Sequence, residues 1–195
     1  EFCTMYPEYV KKLISISSGY KLSTLQTLHN LEQAYILDLG RESNNRNIEY
    51  LSLARMVAHK TYISLELLSN RAKSETLYDD NLIKGFLSTP QESYMMHQGE
   101  KFIERFTPES YLSIIRGWQN FKIEREEFNK LKDIETLIIS VDSDVCFYPD
   151  EQKEFLEILN NYEIKTTFIT INSTKGHDSF LLEPELFEDI LKNFL

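Results

Sequence analysis

The chain has 195 residues, with 21 Lys or Arg against 31 Asp or Glu, and its formal net charge is -10. This acidic balance argues against DNA or RNA as a partner, because nucleic-acid binders usually expose a basic surface. No apolar run approaches the ~20 residues of a membrane span, so we expect no insertion into a membrane. Cys3 and Cys146 form neither a metal-ligand spacing nor a disulfide framework, and no signal peptide is recognisable. The expected compartment is therefore the cytoplasm.

Glycine is scarce, with 6 residues in all. No two glycines stand close enough to build a phosphate-binding loop or a dinucleotide fingerprint, and no G-x-S-x-G is present. These omissions remove the common nucleotide-binding motifs and the usual hydrolase nucleophile from this sequence. The chain opens with Glu1 rather than Met, and we expect it to be a fragment of a longer protein.

The first part of the chain predicts one strand followed by helices. Residues 1–10 are typical of the end of a helix, and residues 11–16 of a short buried strand. Ser23 with Gln26 forms a capping box, which predicts a helix from about residue 22. Apolar residues follow in that helix at helical spacing, at Leu25, Leu28, Leu31 and Tyr35.

The middle of the chain is predicted to be helical, with two loops. Residues 40–47 are a polar loop, residues 51–68 predict a longer helix, and residues 71–88 show no clean period and are assigned to a loop. Thr89-Pro90 and Thr107-Pro108 each combine an N-cap with proline at the first helical position, so each begins a helix.

The end of the chain alternates between strand and helix. Residues 135–141 and 164–171 are apolar, β-branched runs, typical of strands buried on both faces. Pro149 begins a helix to about Asn161, and Pro184 begins a last helix. This order predicts a parallel sheet and an α/β fold class. We assign 1–20 and 130–195 to the α/β core, and 21–129 to a helical insertion.

Chemistry-bearing residues follow both terminal strands. Asp142 and Asp144 come after the first strand and His177 after the second, which is the Asp…His order of an α/β-hydrolase triad. In such a pair the carboxylate fixes the imidazole tautomer and the imidazole moves protons. Spacing alone leaves a plainer alternative open, in which the acid caps a helix and the histidine only packs. We interpret the other histidines, His29, His59 and His97, as structural.

Four segments together resemble the C-terminal half of the homoserine O-acetyltransferases, a family of acyltransferases with an α/β-hydrolase fold. They extend over nearly the whole chain: YPEYVKKLISISSG, LSLARMVAHKTYISL, SYMMHQGEKFIERFTPESYLSI, and the closing pair VDSDVCFYPDEQ with GHDSFLLE. The resemblance implies a helical lid over the active site, and a homodimer formed by lid helices. It also implies acetyl-CoA and L-homoserine as substrates, with no metal and no resident cofactor.

The resemblance also implies roles for individual residues. Asp144 and His177 match the triad acid and base, and the SD pair ahead of the Phe selects Asp144 over Asp142. Arg55 and Tyr62 match residues that hold the amino-acid acceptor, and Asp178 matches the acid that meets its ammonium group. From the residues alone, Arg55 and Tyr62 are seven apart and share a helix face, where a partly buried arginine needs an anionic partner. The residues alone leave a plainer alternative open, in which Arg55 faces water, Tyr62 packs and Asp178 caps the turn after His177.

The sequence departs from the family pattern in three places. The nucleophile elbow, GGSMGG in such proteins, is not in the chain, and we expect it upstream. Ile63 stands where an arginine is usual, and the loop at 38–50 is short. The expected function of the parent protein is homoserine O-acetyltransfer by a ping-pong Ser-His-Asp mechanism in methionine biosynthesis. The alternatives are a serine O-acetyltransferase, a homoserine O-succinyltransferase or an esterase on the same scaffold, or a catalytically dead lid and dimerisation fragment.

Overall fold

The fold is given by a computed structural model that describes residues 1–42, 47–72 and 89–195. The chain forms two compact units. The α/β unit is Glu1–Ser23 with Phe121–Leu195, and the helical unit is Thr24–Asn120. Each unit has its own apolar core, and each is described separately below.

The segment Arg125–Leu131, a 3₁₀ helix, lies in the α/β unit, whereas residues up to 129 are predicted from sequence to belong to the helical insertion. Two apolar side chains in this charged stretch explain the difference. Phe128 and Leu131 are buried in one cluster with Ile138 of the sheet and Leu159. Burial of that much apolar surface fastens the segment to the sheet.

The α/β unit contains three strands and four α-helices among its described residues. A short helix and a 3₁₀ turn, Pro7–Tyr9, precede the first strand, in line with the expected end of a helix there. In chain order the elements are α1 (Phe2–Met5), β1 (Lys12–Ile16), β2 (Glu135–Val141), α7 (Pro149–Asn161), β3 (Thr166–Ile171), α8 (Ser179–Leu182) and α9 (Glu185–Phe194). The five helices between β1 and β2 in chain order belong to the helical unit and are given below.

The three strands form a parallel sheet in the order β1-β2-β3, which confirms the predicted α/β class. The register aligns Ile16 with Ile139, and Val141 with Ile171. The carboxyl ends of β2 and β3 therefore meet at one edge of the sheet. Residues that follow these two strands are brought together by this register.

Strand β2 is buried on both faces, as its sequence predicts. Ile138 packs into a cluster with Phe155 of α7, and Ile139 on the opposite face packs into a cluster with Phe187 of α9. Strand β3 is only partly buried, which corrects the prediction of a second fully buried strand. Among the described residues β3 pairs only with β2, so it is an outer strand.

Strand β3 also begins two residues later than predicted. Ile164 belongs to the capping motif that follows α7: its N–H donates to the carbonyl of Leu159 at 3.1 Å, and the N–H of Glu163 donates to the carbonyl of Asn160 at 3.0 Å. This pair of bonds is a Schellman motif, with Glu163 in the left-handed conformation at φ 58°. The helix C-cap therefore takes the residues that the apolar pattern assigns to the strand.

The helical unit has five helices in its described residues. The caps predicted at Thr89 and Thr107 are confirmed, because their side chains each accept a backbone N–H three residues on. No helix in the described part of the chain combines the length and apolar character needed to cross a membrane. The bounds are α2 (Thr24–Glu42), α3 (Asn47–Tyr62), α4 (Leu65–Arg71), α5 (Pro90–Ile103) and α6 (Pro108–Gln119).

Two predictions for this unit are wrong in detail. The polar segment from residue 40 is not loop at its start, because α2 continues through Gly40 to Glu42. A side chain at Gly40 would meet Tyr50 Cβ at 2.8 Å, so this glycine permits the close approach of α3. The longer helix predicted to continue to residue 68 ends at Tyr62, and α4 restarts with Ser64 as its N-cap. The remaining predicted loop residues, 43–46 and 73–88, lie outside the described residues.

The apolar stripe of α2 faces outward. Leu28, Leu31 and Tyr35 are 50%, 61% and 63% exposed, and polar Asn30 and Gln33 are buried instead. The helical period predicted from these apolar residues is therefore right, but it marks a surface. The unit's core lies elsewhere on the helix, around Leu37 and its neighbours on α3 and α5.

Candidate active site

The acid expected after β2 is a buried carboxylate with fixed hydrogen bonds. Asp144 is only 1% exposed. Its Oδ1 accepts the backbone N–H groups of Cys146 at 2.8 Å and Phe147 at 2.9 Å. Two backbone donors on one oxygen hold the carboxylate in a single orientation, and they leave Oδ2 for another partner.

That partner is the histidine expected after β3. His177 Nδ1 lies 3.1 Å from Asp144 Oδ2, across a sequence separation of 33 residues. When Nδ1 carries the ring proton, it donates to the carboxylate and Nε2 keeps its lone pair. The structure thus brings the two predicted triad residues into contact in the geometry that a general base requires.

Aromatic rings position the imidazole of His177. Phe147 stacks beside it with ring centroids 5.7 Å apart and an interplanar angle of 30°, and Phe180 meets it edge-on at 5.7 Å. The histidine belongs to the 3₁₀ turn Gly176–Asp178, which begins with Gly176 at φ 76°. A residue with a Cβ would be strained at this position, so the glycine is needed for the turn.

Asp178 is the last residue of the same turn and precedes α8. It is half-buried and adjacent in the chain to His177. The α/β unit thus holds three of the five predicted site residues, with Asp144 and His177 in direct contact.

The other two predicted residues lie together in the helical unit. The guanidinium carbon of Arg55 is 4.7 Å from the ring centroid of Tyr62 and 4.9 Å from that of Phe102. These are cation–π distances. Helix spacing predicts the first contact, whereas Phe102 comes from α5 and has no signal in the local sequence.

Tyr111 of α6 joins the group formed by Arg55, Tyr62 and Phe102, and the sequence does not predict it. Its hydroxyl donates to Gln33 Oε1, and its ring meets Phe102 edge-on at 4.9 Å. Burial raises the pKa of the Tyr111 phenol, the neighbouring Tyr62 raises it further, and Arg55 opposes the shift. The phenol therefore stays protonated and acts as a hydrogen-bond donor at neutral pH.

His59, interpreted as structural, is buried in the same unit. Within the described residues neither ring nitrogen has a hydrogen-bond partner, and the ring lies 6.0 Å from that of Tyr94. Burial, followed by the charges of Arg55 and Arg71, lowers the pKa of His59 to about 4. In the described residues no group of three or more His, Cys, Asp or Glu side chains has the arrangement of a metal site.

Comparison with known proteins identifies relatives along the whole chain. No family model matches. The homoserine O-acetyltransferase of Pelagibacter ubique (strain HTCC1062) is 33% identical over 218 residues, covering 100% of this chain and 56% of that protein. The homoserine O-acetyltransferase of Mesorhizobium japonicum is 33% identical over 207 residues, covering 97% of this chain and 53% of that protein. The chain thus spans about half the length of the curated relatives it matches.

Solved structures show the same fold at low sequence identity. A homoserine O-acetyltransferase from Bacillus anthracis superposes with a TM-score of 0.85 at 14% identity, covering 99% of this chain and 55% of that one. Esterase E22 gives a TM-score of 0.84 at 14% identity, covering 99% of this chain and 56% of that one. The resemblance inferred from the sequence is confirmed: along its whole length the chain is homologous to part of the homoserine O-acetyltransferases, and it has an α/β-hydrolase fold.

Proposed function

We propose that the protein is a homoserine O-acetyltransferase that transfers the acetyl group of acetyl-CoA to the hydroxyl of L-homoserine in methionine biosynthesis. The observation that carries the proposal is the contact of His177 Nδ1 with Asp144 Oδ2 at 3.1 Å. It occurs in a chain homologous to enzymes of that name. The pair is the base and its orienting acid in acyl transfer by a serine nucleophile.

The proposed reaction is a ping-pong acyl transfer in two half-reactions. In the first, His177 Nε2 takes the proton of a serine hydroxyl, the serine oxygen attacks the thioester carbonyl, and the proton passes to the departing thiol of CoA. In the second, Nε2 takes the hydroxyl proton of homoserine, whose oxygen attacks the acetyl-serine ester. The serine leaves and recovers its proton from His177. We expect the serine and the oxyanion hole to lie upstream of these residues.

In both half-reactions an imidazolium forms next to Asp144. The carboxylate stabilises that charge, and its two backbone N–H donors keep it oriented while the charge appears. No metal and no resident cofactor is needed for this chemistry, since the histidine performs each proton transfer. Acetyl-CoA enters as a co-substrate.

For the acceptor, we propose Arg55 as the ligand of the homoserine carboxylate, with Tyr62 beside it and Asp178 as the partner of the ammonium group. The support is the match of these residues to the family pattern and the chemistry of a guanidinium fork on a carboxylate. Ile63 stands in place of the usual arginine, and this departure bears on the acceptor. Serine acetylation is the rival activity that changes the acceptor, and homoserine succinylation is the rival that changes the acyl donor.

We further propose a cytoplasmic homodimer that associates through helices of the lid, which is the helical unit. The outward apolar face of α2 supports this proposal, since its three large side chains, Leu28, Leu31 and Tyr35, are each at least half exposed. The proposal includes no nucleic-acid partner, given the acidic net charge.

The test assays the full-length gene product with acetyl-CoA and L-homoserine and follows release of the CoA thiol. We expect turnover that is lost by at least about a thousandfold in His177→Ala. His29→Ala, a histidine of α2 outside the pair, is the matched control and should keep the activity. The isolated 195-residue chain should be inactive, because its sequence contains no G-x-S-x-G motif for the nucleophilic serine.

Parallel assays distinguish the rival functions. L-serine as acceptor, succinyl-CoA as donor and a chromogenic acetyl ester in water test the two other transferases and the esterase. Esterase E22 shares the fold, so fold alone does not decide among them. Ester hydrolysis without transfer to any amino acid would replace the proposal with an esterase, and no activity in any assay would favour a catalytically dead fragment.

A further inference from the structure

One serine hydroxyl connects the loop that carries the acid to the loop that carries the base. Ser143 immediately precedes Asp144. Its Oγ donates to the carbonyl of Ser173 and accepts the N–H of Gly176 at 3.0 Å. The two partners lie on the loop after β3, and Gly176 is adjacent to His177. A single side chain therefore bridges the two strand ends.

The preceding acid adds a second connection between the same loops. Asp142 Oδ1 accepts the N–H of Ser173 at 3.0 Å, and the N–H of Asp142 donates to the carbonyl of Ile171 at 3.0 Å. This second bond continues the β2–β3 ladder by one residue. The start of the His177 loop is thus held by Asp142, and its turn by Ser143.

A separate set of bonds supports the His177 loop from within. Ser173 Oγ donates to Glu183 Oε2 and accepts the N–H of Lys175 at 3.0 Å. The fully buried hydroxyl of Ser179 lies within hydrogen-bonding distance of the carbonyl of Gly176 and of Ser173 Oγ. The loop therefore has a defined shape of its own, and Ser143 determines where that shape sits relative to Asp144.

This arrangement matters because the acid and base otherwise meet through one contact of 3.1 Å. Backbone N–H donors hold Asp144 in place, so the distance between the two side chains depends on where the His177 loop lies. We propose that Ser143 is a positioning residue that holds the His177 turn against Asp144, so that Nδ1 stays hydrogen-bonded to the carboxylate and Nε2 keeps its lone pair. The inference deepens the proposed function, since it rests on His177 acting as the base.

Substitutions of Ser143 that remove or keep its two hydrogen bonds test this role. Ser143→Ala removes both bonds and leaves the N–H of Gly176 and the carbonyl of Ser173 to water. Ser143→Thr keeps a hydroxyl on the same carbon and should restore them. Ser15→Ala is the matched control, because Ser15 Oγ pairs with Ser18 Oγ at 2.7 Å in the same unit and forms no hydrogen bond with either loop among the described residues.

The first measurement uses NMR of the full-length gene product and needs no activity. In the parent chain, the amide of Gly176 should be protected from hydrogen exchange, and the neutral ring of His177 should carry its proton on Nδ1. In Ser143→Ala we expect the amide of Gly176 to exchange faster by about tenfold or more, because the loss of one hydrogen bond corresponds to ~1.4 kcal/mol. We also expect both tautomers of His177 to be visible. Ser143→Thr and Ser15→Ala should match the parent.

Rapid Gly176 exchange in the parent chain would overturn the proposal without any variant, and so would an unchanged tautomer in Ser143→Ala.

The second measurement is kinetic and uses the full-length gene product. There Ser143→Ala should slow acylation and deacylation alike by about tenfold, with both KM values nearly unchanged, and Ser143→Thr should recover the rate. If NMR shows the expected changes and the parent transfers no acetyl group, the proposed function fails and the positioning role stands. Full transferase activity in Ser143→Ala would refute the positioning role alone.

Discussion

The guanidinium of Arg55 lies over the ring of Tyr62, two helical turns further along α3, at 4.7 Å from the ring centroid. Phe102 approaches the same guanidinium at 4.9 Å from the neighbouring helix α5. Contacts with ring faces hold the guanidinium plane and use none of its N–H groups. A planar fork oriented in this way is suited to a carboxylate, which accepts two parallel N–H bonds.

Under the proposed function, Arg55→Lys should therefore impair the acceptor step of the full-length protein. Lysine keeps the charge but cannot form two parallel bonds, so kcat/KM for the acceptor should fall by about tenfold or more, as for loss of a charged hydrogen bond of ~1.5–3 kcal/mol. Acylation by the donor needs no acceptor and should be nearly unchanged. Burst kinetics with a chromogenic acyl donor separate the two steps.

Arg105→Lys is the matched control for this variant. Arg105 is exposed and lies 6.0 Å from the same Phe102 ring, so it resembles Arg55 in its aromatic neighbour without sharing the proposed role. It should behave as the parent in both steps. A slower acylation burst in Arg55→Lys, with deacylation by homoserine intact, would show that Arg55 serves the donor instead.

His59 should make folding stability depend on pH below neutrality. Burial and the charges of Arg55 and Arg71 lower its pKa to about 4 in the folded protein, against ~6.5 when unfolded. Between these values the unfolded state binds the proton and the folded state does not, so stability falls as the pH drops from about 6.5 to about 4. The full effect of one such group is about 3 kcal/mol.

The measurement compares urea unfolding of the chain at pH 7.5 and pH 4.5. His59→Leu should lose less stability between these conditions than the parent, because the remaining acid dependence comes from other groups. His29→Leu, a half-buried histidine of α2, is the control and should keep the parent's dependence. Equal loss of stability in His59→Leu and the parent would show that His59 does not resist protonation.

Self-association should depend on the outward face of α2. Leu31 is 61% exposed in the centre of this face, and a charge placed there would be costly to bury in a dimer. Leu31→Glu should therefore shift the full-length protein from dimer to monomer in light scattering at micromolar concentration. Leu65→Glu on α4 changes a leucine that is even more exposed, at 74%, and should leave the dimer intact. A parent protein that is strictly monomeric would refute the dimer altogether.

The acid–base pair could be predicted from sequence because it depends on regular structure. The apolar run that forms β2 has the same bounds in the sequence and in the fold, and parallel pairing of Val141 with Ile171 necessarily brings the following loops together. The contact of Asp144 with His177 follows from that register. The register of the strands is enough to predict this contact, without knowing how the side chains pack.

What could not be predicted depends on contacts between distant segments. The pattern of Leu28 and Leu31 indicates a helix face but not whether that face is buried, since polar Asn30 and Gln33 occupy the interior instead. Likewise the two bonds of Ser143 require the other loop to be in place, and a serine has no periodic signal. Local patterns predict elements, whereas the partners of polar side chains emerge only from the assembled fold.

The C-terminal end of α7 offers a prediction of stability with a built-in control. Glu163 occupies the left-handed position after the helix at φ 58°, where a Cβ costs about 1 kcal/mol and glycine costs nothing. Both Schellman hydrogen bonds come from backbone N–H groups, so Glu163→Gly keeps them. The variant should raise the free energy of unfolding by about 0.5–1 kcal/mol. Glu157→Gly makes the same chemical change in the exposed interior of α7, where it should lower stability by about 1 kcal/mol. Urea unfolding of both variants measures the two effects, and a loss of stability in both would mean that Glu163 is not strained in the folded chain.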